Sequence, residues 1–149
     1  MAICKILADS NFFIALFNPS DSLHEKAIAI SKKIKEESLR IYISNYLFLE
    51  IVTIISQRVG KKEAVILGKH LLEDEQIEII HINEKLNNLS WKIFQEINKK
   101  DTSFADCSNL AILQTEEIKI FLTFDGHYIN LQKEHNFEMY TLSAKKKNS

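Results

Sequence analysis

Proline is almost absent from this chain and glycine nearly so: one proline and three glycines in 149 residues, against a usual combined share of about 12%. That scarcity excludes a loop-rich, low-complexity or collagen-like chain, so regular secondary structure must dominate. It also leaves no glycine-rich phosphate loop, and any phosphate recognition has to run through side chains or metal. Cysteine is scarce as well. Cys4 and Cys107 have the spacing of neither a metal knuckle nor a redox pair, and free thiols are expected. No apolar run approaches the roughly 18 residues of a membrane span. The opening MAICKILADS meets an acid where a signal peptide would stay apolar, so the chain reads as cytoplasmic. Charge of one sign is missing too: 19 basic and 20 acidic residues leave a formal net charge of -1. No global positive field draws nucleic acid or an anionic membrane, and such a site would have to be local.

What is present is a core and a surface. Hydrophobic residues make up 46% of the chain, with 22 isoleucines, and charged residues 26%, a balance that argues against intrinsic disorder. The length fits one domain burying roughly two-thirds of its unfolded surface. The domain is expected over residues 1 to 143, with 144 to 149, AKKKNS, as a frayed tail.

Apolar, β-prone residues 2 to 8 stop abruptly at Asp9-Ser10-Asn11, the profile of a strand buried on both faces. A short helix is expected over 12 to 17. Ser22 with Glu25 three residues later signals a capping box for a helix over 22 to 37, whose apolar positions Leu23, Ala27, Ile30 and Ile34 recur at helical spacing. Strands are further expected at 40 to 43, 76 to 82, 119 to 124 and 137 to 142. Helices are expected at 45 to 58, ending at Gly60, then at 61 to 72, 83 to 99, 104 to 116 and 127 to 134. Strand and helix alternate throughout, which predicts an α/β fold with a mostly parallel sheet covered on both faces.

In such a sheet, ligands bind in the crevice beyond the carboxyl ends of the strands. Asp9 and Asp125 surface there, after ILA and FLTF. Each also has a plain reading, Asp9 as a helix cap and Asp125-Gly126 as a turn. Glu50 sits among Tyr46, Leu47, Thr53 and Ile54 on a helix apolar over most of its circumference, so it is expected to face inward and to need a cation, a metal or a proton. The alternative is a narrow polar strip shared with Gln57. Asp106 completes a capping box with Ser103 or points into the same crevice. Asp101 is a weaker candidate, a solvated acid or local cap. Among the histidines, only His127 is a possible neighbour of the site. Four carboxylates brought together would raise one another's pKa, and a divalent cation resolves that conflict. An all-oxygen donor set without a His/Cys partner favours Mg²⁺ or Mn²⁺.

Four segments, ILADSNFFIALF, SNYLFLEIV, SFADCSNLAI and IFLTFDGHY, resemble in order and spacing the successive motifs of the PIN domain, particularly the small VapC-like ribonucleases. The resemblance spans nearly the whole chain. It implies a three-layer α/β/α fold around a central, mostly parallel five-stranded sheet in the order 3-2-1-4-5. It further implies Asp9, Glu50, Asp106 and Asp125 as a metal-binding catalytic quartet, Thr123 as the hydroxyl residue preceding the last acid by two, and Ser10 and Asn11 at the rim. The implied chemistry is Mg²⁺- or Mn²⁺-dependent hydrolysis of RNA phosphodiesters by an endoribonuclease, as the toxin of a type II toxin–antitoxin pair. An antitoxin partner, a homodimer and an RNA substrate follow from the same resemblance, and no membrane. The rival readings are a housekeeping RNA-processing nuclease and a non-catalytic RNA- or partner-binding module, though all four acids being present counts against the latter. A phosphoaspartyl enzyme would want a second Asp where Asn11 stands, and a receiver domain would want paired acids after strand one. No strong aromatic-plus-basic RNA groove is legible: Lys61-Lys62, Lys99-Lys100 and Lys145 to Lys147 read as ordinary surface charge. The Ile- and Leu-rich helices 45 to 58 and 61 to 72 offer either core packing or a patch for a partner.

Overall fold

The computed structural model describes residues 4–142; the expected tail and the first residues of the opening strand lie outside that range. Five strands, β1 (Lys5–Ala8), β2 (Arg40–Ser44), β3 (Ile77–Ile80), β4 (Ile120–Leu122) and β5 (Glu138–Met139), form one sheet in the order β3-β2-β1-β4-β5. Every pairing is parallel, so the expected topology holds, with a fully parallel sheet. Between the strands run α1 (Ser10–Phe17), α2 (His24–Glu36), α3 (Asn45–Arg58), α4 (Lys61–Glu73), α5 (Glu84–Glu96) and α6 (Phe104–Thr115). A 3₁₀ turn (Gly126–Leu131) and the short α7 (Gln132–His135) precede β5.

The central strands are apolar on both sides because both sides are covered, whereas the edge strands β3 and β5 carry exposed Glu78 and Glu138. In β1, Ile6, Leu7 and Ala8 are all fully buried. Ile6 and Ala8 pack with Ile41, Ile43 and residues of α1 to α4. Leu7, one residue out of phase, packs on the opposite face with Tyr42, Phe121 and residues of α5 and α6, as the period-2 alternation of a strand requires. Helix α6 buries every residue from Cys107 to Leu113, the sign of a helix enclosed on all sides. Cys107 is therefore a core thiol, and burial pushes its pKa up to about 11; both cysteines are free.

Three expectations are corrected. The Ser22–Glu25 capping box does not form; α2 starts at His24 with no side-chain cap, because Asp21 Oδ1 accepts the Leu23 N–H and turns the chain first. Helix α5 ends at Glu96, short of 99: Ile97 turns to extended backbone as the cap and packs on the core, and Asn98, Lys99 and Lys100 beyond it are exposed. The outer ends of the expected strands at 119 to 124 and 137 to 142 fall outside β4 and β5. Residues after Leu122 turn instead into side-chain contacts described below. The α3–α4 joint needs its glycine: Gly60 sits at φ +154°, a region L side chains rarely adopt.

The order β3-β2-β1-β4-β5 makes the chain switch direction across the sheet between β1 and β4. Their carboxyl ends therefore open the crevice where α/β proteins bind ligands. Asp9 follows one of these strands directly, and Thr123 follows the other.

Candidate active site

Asp9 is the hub. It is 5% exposed and held by four donors. Its Oδ1 accepts from the Ser10 N–H at 2.8 Å and from Asn109 Nδ2 at 3.4 Å; its Oδ2 accepts from Thr123 Oγ1 at 2.8 Å and from Asn11 Nδ2 at 3.4 Å. Asp9 caps α1 through Ser10 while its other contacts reach β4 and α6. Asn11 and Thr123 brace the carboxylate further. Asn11 Nδ2 donates to Thr123 Oγ1 at 3.1 Å, Asn11 Oδ1 accepts the Phe124 N–H at 3.0 Å, and Thr123 Oγ1 accepts the Asp125 N–H at 3.0 Å. The hydroxyl two residues before Asp125 thereby ties the ends of β1 and β4 together.

Burial is the main reason the Asp9 pKa is raised to about 6; the bonds from Thr123 and Ser10 pull it down, and the charges of Asp106 and Glu50 push it up again. Two of the other acids are therefore within electrostatic reach. No ion pair among the described residues involves Asp9, Glu50 or Asp106. Negative charge collects here without a cationic side chain to offset it.

Asp106 divides its two oxygens. Oδ2 accepts the Ser103 N–H at 2.9 Å while Ser103 Oγ accepts the Asp106 N–H at 3.0 Å, a complete capping box. Oδ1 accepts from the Tyr128 hydroxyl at 2.9 Å. The same hydroxyl accepts from Asn109 Nδ2 at 3.3 Å, the group that also reaches Asp9. A buried bridge of Asn109 and Tyr128 therefore runs beneath the two carboxylates. Neither residue was among the sequence candidates. Asn109 lies fully buried beside buried Ser108 in a run of otherwise apolar residues, and its Oδ1 has no hydrogen-bond partner; an amide three residues after Asp106 was the available signal.

Asp125 accepts the His127 N–H at 2.9 Å and pairs with the His127 ring, whose Nε2 pairs with Asp101 at 2.7 Å. The turn reading of Asp125 is correct in that sense, and its carboxylate also meets the His127 imidazole. Asp125 is the main cause of the raised His127 pKa; desolvation, the next largest effect, opposes it, and Asp101 adds to the rise. Asp101 is neither merely solvated nor a cap, because it clamps this histidine.

Glu50 departs most from expectation, being exposed rather than inward. Helix α3 buries only Leu47, Ile51 and Ile55. Phe48 and Val52 turn toward Gly68 of α4, so the apolar circumference serves two contacts and Glu50 is left at the solvent edge. Glu50→Gln is accordingly expected to leave the melting temperature within about 1 °C of wild type, as surface substitutions do; a drop of several degrees in a thermal melt would restore the inward placement.

The donors are all oxygen and carry excess negative charge, a chemistry that suits a hard divalent cation over zinc. Among the described residues no three His, Cys, Asp or Glu side chains form a ready-made ligand group. The acids do not close around a point, and Glu50 stays exposed at the solvent edge.

An α/β/α protein with acids gathered at the switch point of a parallel sheet is the class that fold and site define. A family model described as PIN domain matches residues 6–134, and the chain belongs to that family. Over 123 residues, 83% of this chain and 91% of the relative, it is 24% identical to the 23S rRNA-specific endonuclease VapC20 of Mycobacterium tuberculosis strains CDC 1551 and H37Rv. The crystal structure of that protein, described as a sarcin-ricin loop cleaving toxin, matches at TM-score 0.74 and 23% identity, covering 85% of this chain and 94% of that one. FitAcB from Neisseria gonorrhoeae matches at TM-score 0.65 and 17% identity over 91% and 96% of the two chains. VapBC2 from Rickettsia felis bound to a promoter DNA fragment does so at 0.65 and 14% over 91% and 97%.

Proposed function

We propose that this chain is a metal-dependent endoribonuclease and the toxin of a type II toxin–antitoxin pair, with Asp9, Glu50, Asp106 and Asp125 around Mg²⁺ or Mn²⁺. The observation that carries the reading is Asp9 itself: a carboxylate almost wholly buried at the sheet's switch point, its proton affinity raised, with no cationic side chain paired to it among the described residues. A buried charge costs several kcal/mol unless something compensates it, and a site retaining that cost is a candidate for cation binding.

Asp9 and Asp125 approach from strand ends, Asp106 from the first turn of α6, and Glu50 from the rim of α3. When bound, the cation supplies Lewis-acid activation of the scissile phosphate and lowers the pKa of the attacking water. The protein's own residues fix the acceptors. Thr123, Asn11 and the Ser10 amide hold the Asp9 carboxylate in one orientation, and Ser103 and Tyr128 do the same for Asp106.

The endonuclease relative supports RNA as substrate and makes ribosomal RNA the first one to test. The solved toxin–antitoxin complexes among the similar structures support an antitoxin partner. So does a groove of about 500 Å³ between α3 and α4, lined by Phe48, Val52, Val65 and Leu72, with Leu49, Ile66 and Leu72 more than half exposed along the same two helices. A homodimer and a cytoplasmic location belong to the same reading; no helix among the described residues is long and apolar enough to cross a membrane.

Purified ribosomal RNA is expected to be cut in Mn²⁺ or Mg²⁺ and to stay intact in EDTA, and Asp125→Asn to slow cutting at least about a hundredfold. Equal cleavage by wild type and variant on a gel would sink the assignment.

A further inference from the structure

The acids leave one side of the site's border unexplained. On α5, Trp91 and Phe94 stack with ring centroids 5.7 Å apart and planes 23° from parallel. Phe104, the first residue of α6, closes the group at 6.3 Å from Trp91 and 5.9 Å from Phe94. Core packing does not account for the first two. Helix α5 buries Leu86, Ser90 and Ile93, whereas Trp91 is 52% exposed and Phe94 38%.

The trio meets the acid-bearing helix at its start. Ser103, which caps Asp106, directly precedes Phe104, and Phe104 and Asp106, two residues apart, share the first turn of α6 on different sides of it. The loop leading from α5 to Phe104 carries Asp101, whose carboxylate holds His127 against Asp125. The aromatic group and two of the four acids are thus joined by one short stretch of chain.

The surroundings decide between occupants. Of the exposed charged residues between Trp91 and Phe104, Lys92, Lys99 and Lys100 are cations and Glu96 and Asp101 are acids, Asp101 being engaged by His127. Charged residues are depleted from the core of an interface between protein copies, whereas single-stranded nucleic acid sites combine aromatic rings with cations that follow the backbone. The sequence showed Lys99-Lys100 without an aromatic partner; folding brings Phe104 onto Trp91 and Phe94, at the two ends of the stretch that carries those lysines.

We propose that Trp91, Phe94 and Phe104 form a stacking platform for an unpaired base of the RNA substrate, with Lys92, Lys99 and Lys100 taking the neighbouring phosphates. The proposal rests on the ribonuclease reading and narrows it: the preferred substrate carries an unstacked nucleotide beside the cleavage point rather than a continuous duplex.

Trp91 is the only tryptophan of the sequence, so its emission reports on this surface alone. In EDTA, a single-stranded oligoadenylate of about ten nucleotides is expected to quench that emission saturably, and a blunt duplex of equal length to quench it far less. By anisotropy of a labelled strand, Trp91→Ala should weaken binding about tenfold or more, while Trp91→Phe, which keeps a stacking face, should stay within about threefold of wild type. Unsaturable quenching, or equal affinity for Trp91→Ala and wild type, would overturn the platform. So would an emission shift on concentrating the RNA-free protein as its sedimenting mass doubles, since the face would then be an interface between copies. Cleavage separates the two readings. Saturable quenching by a protein that cuts no RNA supports the platform and removes the nuclease, and cutting with an affinity indifferent to Trp91 does the reverse.

Discussion

Asp9→Asn is expected to abolish RNA cleavage and, in the same protein without metal, to raise the melting temperature at pH 7.5. Burial, reinforced by Asp106 and Glu50, lifts the Asp9 pKa from 3.8 to about 6. Between those values the folded chain keeps a proton that the unfolded chain has released. This contribution to stability is therefore complete below about pH 4 and is lost as pH rises through about 6. Above that, the wild type carries a cost of about 3 kcal/mol. Asparagine removes the charge at nearly constant shape, but its NH2 stands in for one carboxylate oxygen and there faces a donor, Asn11 Nδ2 in place of Oδ2 or the Ser10 N–H and Asn109 Nδ2 in place of Oδ1, so part of the gain is lost to rearrangement. A net gain of about 1–2 kcal/mol remains, worth ~2–4 °C per kcal/mol at this chain length. The gap between variant and wild type should close by about pH 4.5. Millimolar Mn²⁺ should raise the melting temperature of the wild type and leave Asp9→Asn unmoved. If Asp9 were only the cap of α1, asparagine would serve as well as aspartate and both stability and cleavage would be unchanged. A variant that melts lower than wild type at pH 7.5, or that still cuts RNA, defeats the argument.

That opposition of stability and function explains why Asp9 was legible before the fold was known. A carboxylate placed directly after Ile6-Leu7-Ala8 contradicts the burial pattern around it, and such local contradictions concentrate at sites. The parallel sheet was legible for a related reason. With so little glycine and proline, changes in hydrophobic period are the chief punctuation, and they mark strand and helix in turn. Glu50 was misread because periodicity shows that a helix is apolar without showing what covers it: Phe48 and Val52 face α4, not the sheet. Asn109 and Tyr128 were invisible for the opposite reason. Each lies in an apolar surround that a core accounts for, and only the pairing of α6 with the turn after β4 brings amide and hydroxyl together. The aromatic trio was hidden by distance along the chain, Phe104 lying on a different helix from its two partners.

Tyr128→Phe is expected to weaken Mn²⁺ binding and RNA cleavage by about tenfold to a hundredfold, the usual penalty for losing a group that orients a metal ligand. The hydroxyl donates to Asp106 Oδ1 at 2.9 Å and accepts from Asn109 Nδ2 at 3.3 Å, and that amide reaches Asp9 Oδ1 at 3.4 Å. Without it Asp106 keeps only its bond to the Ser103 amide and can turn about the capping box, while Asn109 loses one of its two acceptors. The ring itself stays packed edge-on against Phe121, centroids 4.6 Å apart, so the stability loss should be limited to about 1–2 kcal/mol for one hydrogen bond to a charged acceptor. Phe137→Leu, at a residue that also packs edge-on against Phe121, centroids 5.9 Å apart, provides a control of comparable destabilisation and should bind Mn²⁺ like wild type. Asn109→Leu removes the partnerless Oδ1 along with the bridging amide. It should therefore cost little stability while lowering Mn²⁺ affinity as Tyr128→Phe does, and the double variant should fall well short of the summed losses, because both substitutions cut the same bridge. Calorimetric Mn²⁺ affinities equal in Tyr128→Phe and wild type would reduce Tyr128 to a core residue. Additive losses in the double variant would show that Asn109 and Tyr128 act on the two carboxylates separately.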